Sequence, residues 1–529
     1  MKKLIIFSLL IFVLFSCGKD FLNEKKYGLV VPSTYPQSLN ALEKCVNALY
    51  SISNSMYNET GCYEACLAGD EITTQAGGNK QDFLAFDQFN TTNNNGHLDR
   101  VWNPAYLAIK QANVIINSID NVTQPDQLSA LVSAQKSRAL GQAYFIRALA
   151  YFNLVRIWGQ VPIQDQVVVD YNAKKASYVD IYNHIVSDLT KAIPLLPSNY
   201  KNAPYPSDLE KTTSYARITC GAAQTLLASV YLFEGGYPVK DNTKFTLARD
   251  LAKAVMDSVN AGVYSYQLLP SYADLWKASN GENSKAINNA EDVFTFFYNN
   301  WAGDWSDNGT SSNGNMLAPA AFTPGIMGGW DDAYAELNFY KEFPAGPRKN
   351  ATFITYVHLQ VNNKDSIVPW TSFQFAHPYF KKFMEVSGFD TTNMGAYIDW
   401  WSARTVQVIR YAEVLLIYAE SQARADGTPN SLAYSCLNQV RNRAGLANMT
   451  NGLSSTAFAD SVVMERKWEF AGPEPCNRWY DMVRTETVAS ATSKRDPSEQ
   501  PIINQPNDET HAGYWAPIPL RDAALNPNL

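Results

Sequence analysis

The chain of 529 residues is predicted to be mostly α, with helices arranged in pairs and a loop-rich segment that carries short strands. The first observation behind this is the stretch Ser137 to Ile163. Leu140, Tyr144, Ala148, Tyr151 and Val155 recur there at steps of three and four, the period of one helix face. Ala139, Ala143, Phe145, Leu149 and Phe152 place apolar atoms on the other faces too, so neighbours must wrap this helix. The second observation is that apolar stripes of this kind recur in twos, the second member rich in Ala and aromatic residues. That texture is the mark of helix-pair solenoids of the tetratricopeptide kind. The third is a fading of helical periodicity between residues 262 and 407.

Taken in order, the chain opens with Lys2 and Lys3 before an unbroken apolar run, Leu4 to Phe15. A bilayer span takes about 20 residues, and this run is shorter, so residues 1–16 read as a signal peptide. Its end, Leu14-Phe15-Ser16-Cys17, resembles a bacterial lipoprotein box. Cys17 is the expected lipidation site, and residues 17–37 form the lipidated start and tether. An ordinary secretory signal with an incidental cysteine is the alternative.

Residues 38–261 form the N-terminal part of the scaffold. Leu39, Leu42, Val46 and Leu49 make one stripe, and Trp102, Tyr106, Ile109, Ala112, Ile116 and Ile119 make another. Between them, Asp70 to Gly96 is rich in Asn, Gly and Gln and reads as loop. A helix over about 134–157 follows, ended by Gly159 with Pro162 blocking a restart. Further helices are expected from Tyr178 to Leu196, over 215–234, and from Leu247 to Val259. Residues 262–407 hold Trp276, Trp301, Trp305, Trp330, Trp370, Trp400 and Trp401, seven of the 12 Trp. Phe353 to Val361 and Ser366 to Trp370 read as a hairpin across Asn362-Asn363. Residues 408–529 return to helices, at 410–420, 430–443, around 465–470 and at 478–484.

Composition excludes some functions. The formal net charge of −7 argues against a nucleic-acid partner, which calls for clustered Lys and Arg. The five histidines form no metal-ligand pair, and no GxSxG elbow, phosphate loop or EF-hand is present. No cofactor is expected; a calcium ion held by loop carbonyls would leave no such trace. Glu413 and Glu420 lie seven residues apart, about 10 Å along a helix. Retaining and inverting glycosidases use separations of ~5–5.5 and ~6.5–9.5 Å. Ion pairing within the helix, to Arg410 and Arg424, is the expected role, and no enzyme activity is expected. Arg441, Arg443, Arg466 and Arg478 are expected to tie helices together. Of the cysteines, Cys62 and Cys66 are the plausible couple by proximity, while Cys220 and Cys436 read as buried thiols.

Ligand binding is the better-supported chemistry. Trp and Tyr stack on the C–H face of a sugar, while Asn, Asp and Gln bond its hydroxyl edge. Tyr298, Asn300, Trp301, Asp304 and Trp305 offer both within eight residues, and Trp330 offers a further face beside Asp331 and Asp332. Asp70 and Glu71, ahead of a polar loop, are candidate rim contacts. Each loop Trp has an equal claim to packing the loops onto the helices; Trp102 and Trp479 sit in helical signatures and belong to the core.

Several strings resemble the SusD/RagB family of Bacteroidetes outer-membrane lipoproteins. They include the lipobox with Asp20-Phe21-Leu22 after it, Trp102 through Asn113, Arg147-Ala148 to Pro162, and Asp188-Leu189 before Pro197. They continue with Arg410-Tyr411-Ala412-Glu413-Val414-Leu415-Leu416, Val440 to Gly445, Glu465-Arg466, Arg478-Trp479-Tyr480-Asp481 and Trp515 to Pro519. Two places depart from the pattern. Ala471 to Cys476 replaces a shorter Glu-Gly turn, and Gly346-Pro347 leaves Arg348 without its expected acidic neighbour in sequence. The resemblance implies a SusD-like scaffold of four tetratricopeptide-like helix pairs and a lipid-anchored, surface-exposed place in the outer membrane. It also implies a SusC-like TonB-dependent transporter as partner and a glycan as ligand. A peptide ligand, as for RagB, and a structural scaffold without any small ligand remain the alternatives.

Overall fold

The computed structural model describes residues 35–57, 68–276, 289–297, 316–317, 319, 330–361, 364–382, 405–472, 474 and 477–529. Sixteen α-helices occur among them. The first five are α1 (Leu39–Asn54), α2 (Gln81–Asp87), α3 (Asp99–Ser118), α4 (Ser129–Trp158) and α5 (Tyr178–Leu195). Next come α6 (Asp208–Thr212), α7 (Cys220–Glu234), α8 (Thr243–Asn260), α9 (Leu337–Glu342) and α10 (Pro347–Thr352). The last six are α11 (Tyr411–Asp426), α12 (Ser431–Arg443), α13 (Ser455–Glu469), α14 (Asn477–Arg484), α15 (Val488–Thr492) and α16 (Leu520–Leu525).

The long helices pack in chain order, α1 on α3, α3 on α4, α4 on α5, α5 on α7, α7 on α8, α8 on α11, and α11 on α12 and α13. Each inner helix is therefore clasped from two sides, which is why α4 is buried almost all round from Arg138 to Trp158. Gly141 makes the α4–α5 approach close, since a Cβ there would sit 2.8 Å from Cγ of Leu196. Gly159 ends α4 at φ 71, a left-handed conformation that costs glycine little. Trp102 and Trp479 are core residues, 1% and 4% exposed.

Several boundaries differ from the sequence reading. α4 begins at Ser129, earlier than the periodicity indicates, since its first turns are only partly buried and carry no clear apolar stripe. α7 begins at Cys220, where the Thr219 side chain accepts from the Ala222 N–H and caps the helix. α13 starts at Ser455, capped by Ser454. The stretch 70–96, read as loop throughout, holds α2 and a two-residue strand. Cys436 is fully buried and Cys220 partly so, and both are free thiols. Cys62 and Cys66 lie outside the described residues, as does Cys17.

Among the described residues, strands occur in four antiparallel pairs. β1 (Ile72–Thr73) pairs with β3 (Tyr334–Ala335), and β2 (Asp292–Phe296) with β8 (Val406–Arg410). β4 (Phe353–Ile354) pairs with β7 (Tyr379–Phe380), and β5 (Tyr356–Val361) with β6 (Lys364–Pro369). The expected hairpin is thus β5–β6; Phe353 and Ile354 leave it for β7.

A buried charge network joins the loop-rich segment to the C-terminal helices. Arg410 donates from Nη1 to Glu291 at 2.6 Å and Glu469 at 2.8 Å, and from Nε to Glu474 at 2.8 Å. Arg443 reaches Glu291 and Glu469, and Lys382 reaches Glu474. Arg348, lacking a partner nearby in sequence, reaches Glu465 at 2.7 Å and Glu469 at 3.0 Å. The expected Arg410–Glu413 pair does not form. Arg410 is the extended N-cap residue of α11 and turns to the network, while Glu413 accepts from Arg466 at 2.9 Å. Arg424 does pair with Glu420 within α11, at 2.9 Å. Arg441, Arg443, Arg466 and Arg478 all bind carboxylates on other elements.

Candidate ligand-binding surface

The β1–β3 pair brings the segment after Asp70 against the segment after Trp330, although some 260 residues part them in sequence. Side-chain bonds continue the seam beyond the strands. Thr74 donates from Oγ1 to the Asp332 carbonyl at 2.6 Å, and Gln75 from Nε2 to the Asp331 carbonyl at 3.4 Å. Lys80 pairs with the Asp332 carboxylate, and the Tyr379 hydroxyl donates to Oδ1 of Asp331 at 2.6 Å. Asp331 takes φ 54, a left-handed conformation that a short polar side chain tolerates better than most.

The result is a surface with Trp330 half-buried and packed on the core, and with the exposed segment 76–79 held between Gln75 and Lys80, which bond the two residues after Trp330. Ala76, Gly77, Gly78 and Asn79 present small side chains and backbone amides there. An aromatic face next to amide and peptide groups can take a flat, hydroxyl-rich ligand. Asp331 and Asp332 do not supply the hydroxyl-bonding edge expected beside Trp330. Both are buried, at 2% and 4% exposure, and their carboxylates hold the seam together.

Asp70 and Glu71 are also corrected. Both are buried rather than at a rim. Asp70 accepts from Arg478 at 2.8 and 2.6 Å and from Lys467 at 3.0 Å. Burial alone would raise its carboxyl, but the two cations outweigh that and hold it below the usual carboxylate range. Tyr298, Asn300, Trp301, Asp304 and Trp305 lie outside the described residues. Gln75 and Lys80 are tied to Asp331 and Asp332, the two residues after Trp330, in a seam that two-residue strands set up. The polar stretch 70–96 was visible in sequence, but its partner was not. Among the described residues no group of three His, Cys, Asp or Glu side chains is placed to hold a metal ion. No described helix is long and apolar enough to cross a membrane.

A solenoid of helix pairs carrying an aromatic, amide-lined loop surface is the architecture of a binding protein. Comparison with known proteins then names the family. The SusD family model matches residues 262–529, and a second, described as starch-binding associating with outer membrane, matches residues 20–232. The chain belongs to the SusD family. It is 26% identical over 506 residues to a SusD-like protein of Bacteroides ovatus, covering 91% of this chain and 82% of that one. A SusD homolog from Bacteroides thetaiotaomicron superposes with a TM-score of 0.74 at 20% identity, over 97% of this chain and 99% of the other. Surface glycan-binding protein A of the same organism, solved with laminarihexaose, superposes with a TM-score of 0.71 at 20% identity, over 93% and 98%.

Proposed function

We propose that the chain is a cell-surface lipoprotein that binds an oligosaccharide and hands it to a SusC-like TonB-dependent transporter. The observation that supports this reading is the seam that ties Gln75 and Lys80, on either side of the exposed segment 76–79, to the residues following Trp330. The fold shared with a laminarihexaose-binding protein supports a glycan as the ligand class. Tyr298, Asn300, Trp301, Asp304 and Trp305 extend the surface in this proposal, and Cys17 supplies the anchor. Binding proceeds without turnover. The two carboxylates with the nearest claim to catalysis, Glu413 and Glu420, are held by Arg466 and Arg484.

Calorimetry against a panel of neutral oligosaccharides, with product analysis of the same mixtures, tests the proposal. At least one glycan is expected to bind unchanged, and Trp330→Ala to weaken it about tenfold or more, as loss of an aromatic anchor does. Failure of every glycan alongside clear peptide binding overturns the carbohydrate reading in favour of peptide uptake. Cys17→Ala is expected to move the protein from the membrane fraction to the soluble one.

A further inference from the structure

A cleft of about 540 Å³ opens between α9, α13 and the corner from α14 to α15. Its volume is that of a small-molecule site, and neither Trp330 nor segment 75–79 lines it. Phe339, Val463 and Met464 form an apolar wall; Met464 stands 41% exposed there without any core to fill.

In the ion-pair network at the floor, cations outnumber the carboxylates they bind. Lys467 and Arg478 both line the cleft, and both bind the one carboxylate of Asp70. Arg478 spends Nε and Nη2 on that contact, and no acceptor among the described residues meets its Nη1. Behind them, Arg466 and Arg484 bind Asp481, Arg466 also binds Glu413, and Arg484 and Arg424 bind Glu420. Among the described residues, five cations (Arg424, Arg466, Lys467, Arg478, Arg484) thus share four carboxylates (Asp70, Glu413, Glu420, Asp481). Glu71 is no fifth. Burial, then the adjacent Asp70, pushes its carboxyl up to about 8, so it is mostly neutral at pH 7.

We propose that this cleft is a second ligand site, which takes the carboxylate of a small acidic ligand against Arg478 and Lys467. A single excess charge suits a monoanion better than a dianionic phosphate. The apolar wall of Phe339, Val463 and Met464 takes the body of the ligand; at the mouth Lys240 is paired with Glu486, and Lys494 is offset by Glu342 and Asp460, so selection for an anion comes from the floor. A uronate sugar and an acidic dipeptide carry the same group, and the experiment separates them.

Calorimetry at low and at physiological salt is run with galacturonate, with Ala-Glu dipeptide, each a net monoanion at pH 7, and with neutral maltose. The variants are Met464→Trp, which fills the cleft from an exposed position, and Trp330→Ala, which leaves the cleft intact. At least one acidic probe is expected to bind, more weakly at higher salt. Met464→Trp is expected to cost it about tenfold or more, and Trp330→Ala less than about twofold. The acidic probe that binds identifies the source of the carboxylate. The site is overturned if neither acidic probe binds, if maltose binds equally well and is equally blocked, or if Met464→Trp leaves affinity unchanged. Loss of acidic-probe binding in Trp330→Ala alone would assign that binding to the Trp330 surface and overturn the second site.

Discussion

Arg410 holds three carboxylates at once while only 1% of its surface reaches solvent. Removing a buried partner strands the others, which costs more than the pair contributes. Arg410→Met is expected to destabilise the protein by about 3–5 kcal/mol, read from urea denaturation. Arg441, one-fifth exposed and bound to Glu465, is expected to cost under about 1 kcal/mol when replaced by Ala. Glu71 has the opposite problem. Its folded carboxyl stands at about 8 against an ordinary 4.5, so its stabilising contribution is complete below 4.5 and is lost as pH rises through about 8. Glu71→Gln can still accept the Gly472 N–H that Glu71 accepts at 3.2 Å. Thermal unfolding should show the wild type losing stability between about pH 5 and 8, and Glu71→Gln losing distinctly less. Equal slopes would refute the assignment.

At the scale of elements, the α4–α5 contact is set by the absence of a side chain at Gly141. Leu196 Cγ at 2.8 Å and Leu195 Cβ at 3.1 Å from the position of a Cβ leave no room for one. Gly141→Val is expected to cost about 1–3 kcal/mol by overpacking, with helix content unchanged by circular dichroism. The helices themselves were legible wherever one face alternates with another. Leu42, Val46 and Leu49 of α1 are all buried, as the stripe required. Legibility failed where burial and period part company. The partly buried first turns of α4 carry no clear stripe, and the two-residue strands β1 and β3 are too short for any periodicity to register. The Arg410–Glu413 pair failed for a related reason. Spacing on a helix counts only residues inside it, and Arg410 is the extended residue before α11.

Over the whole molecule, carboxylates with lowered and raised pKa values pull stability in opposite directions. Burial raises Glu420, but Arg484 and Arg424 bring it down to about 2, and Asp70 and Glu469 are lowered by their cations in the same way. Their contribution is complete above the ordinary values and disappears as pH falls through the folded ones. Burial raises Asp292 to about 7 and Asp87 to about 6, which, like Glu71, erodes stability as pH rises. The thermal midpoint is therefore expected to peak near about pH 5 and fall on both sides; a steady rise from pH 5 to 8 would contradict it. By itself the sequence determined the helix-pair scaffold, the family and the structural ion-pairing role of the C-terminal arginines, although Arg478 ties its helix to Asp70 in a loop rather than to another helix. Each of these is written in local periodicity or in short contiguous strings. Only the tertiary structure decided that Asp70 is a buried counter-ion, that Asp331 and Asp332 fasten a seam, and that the residues flanking segment 76–79 are tied to those after Trp330. Those outcomes depend on groups hundreds of residues apart meeting away from water, and nothing within a single stretch of chain records which partner it will meet.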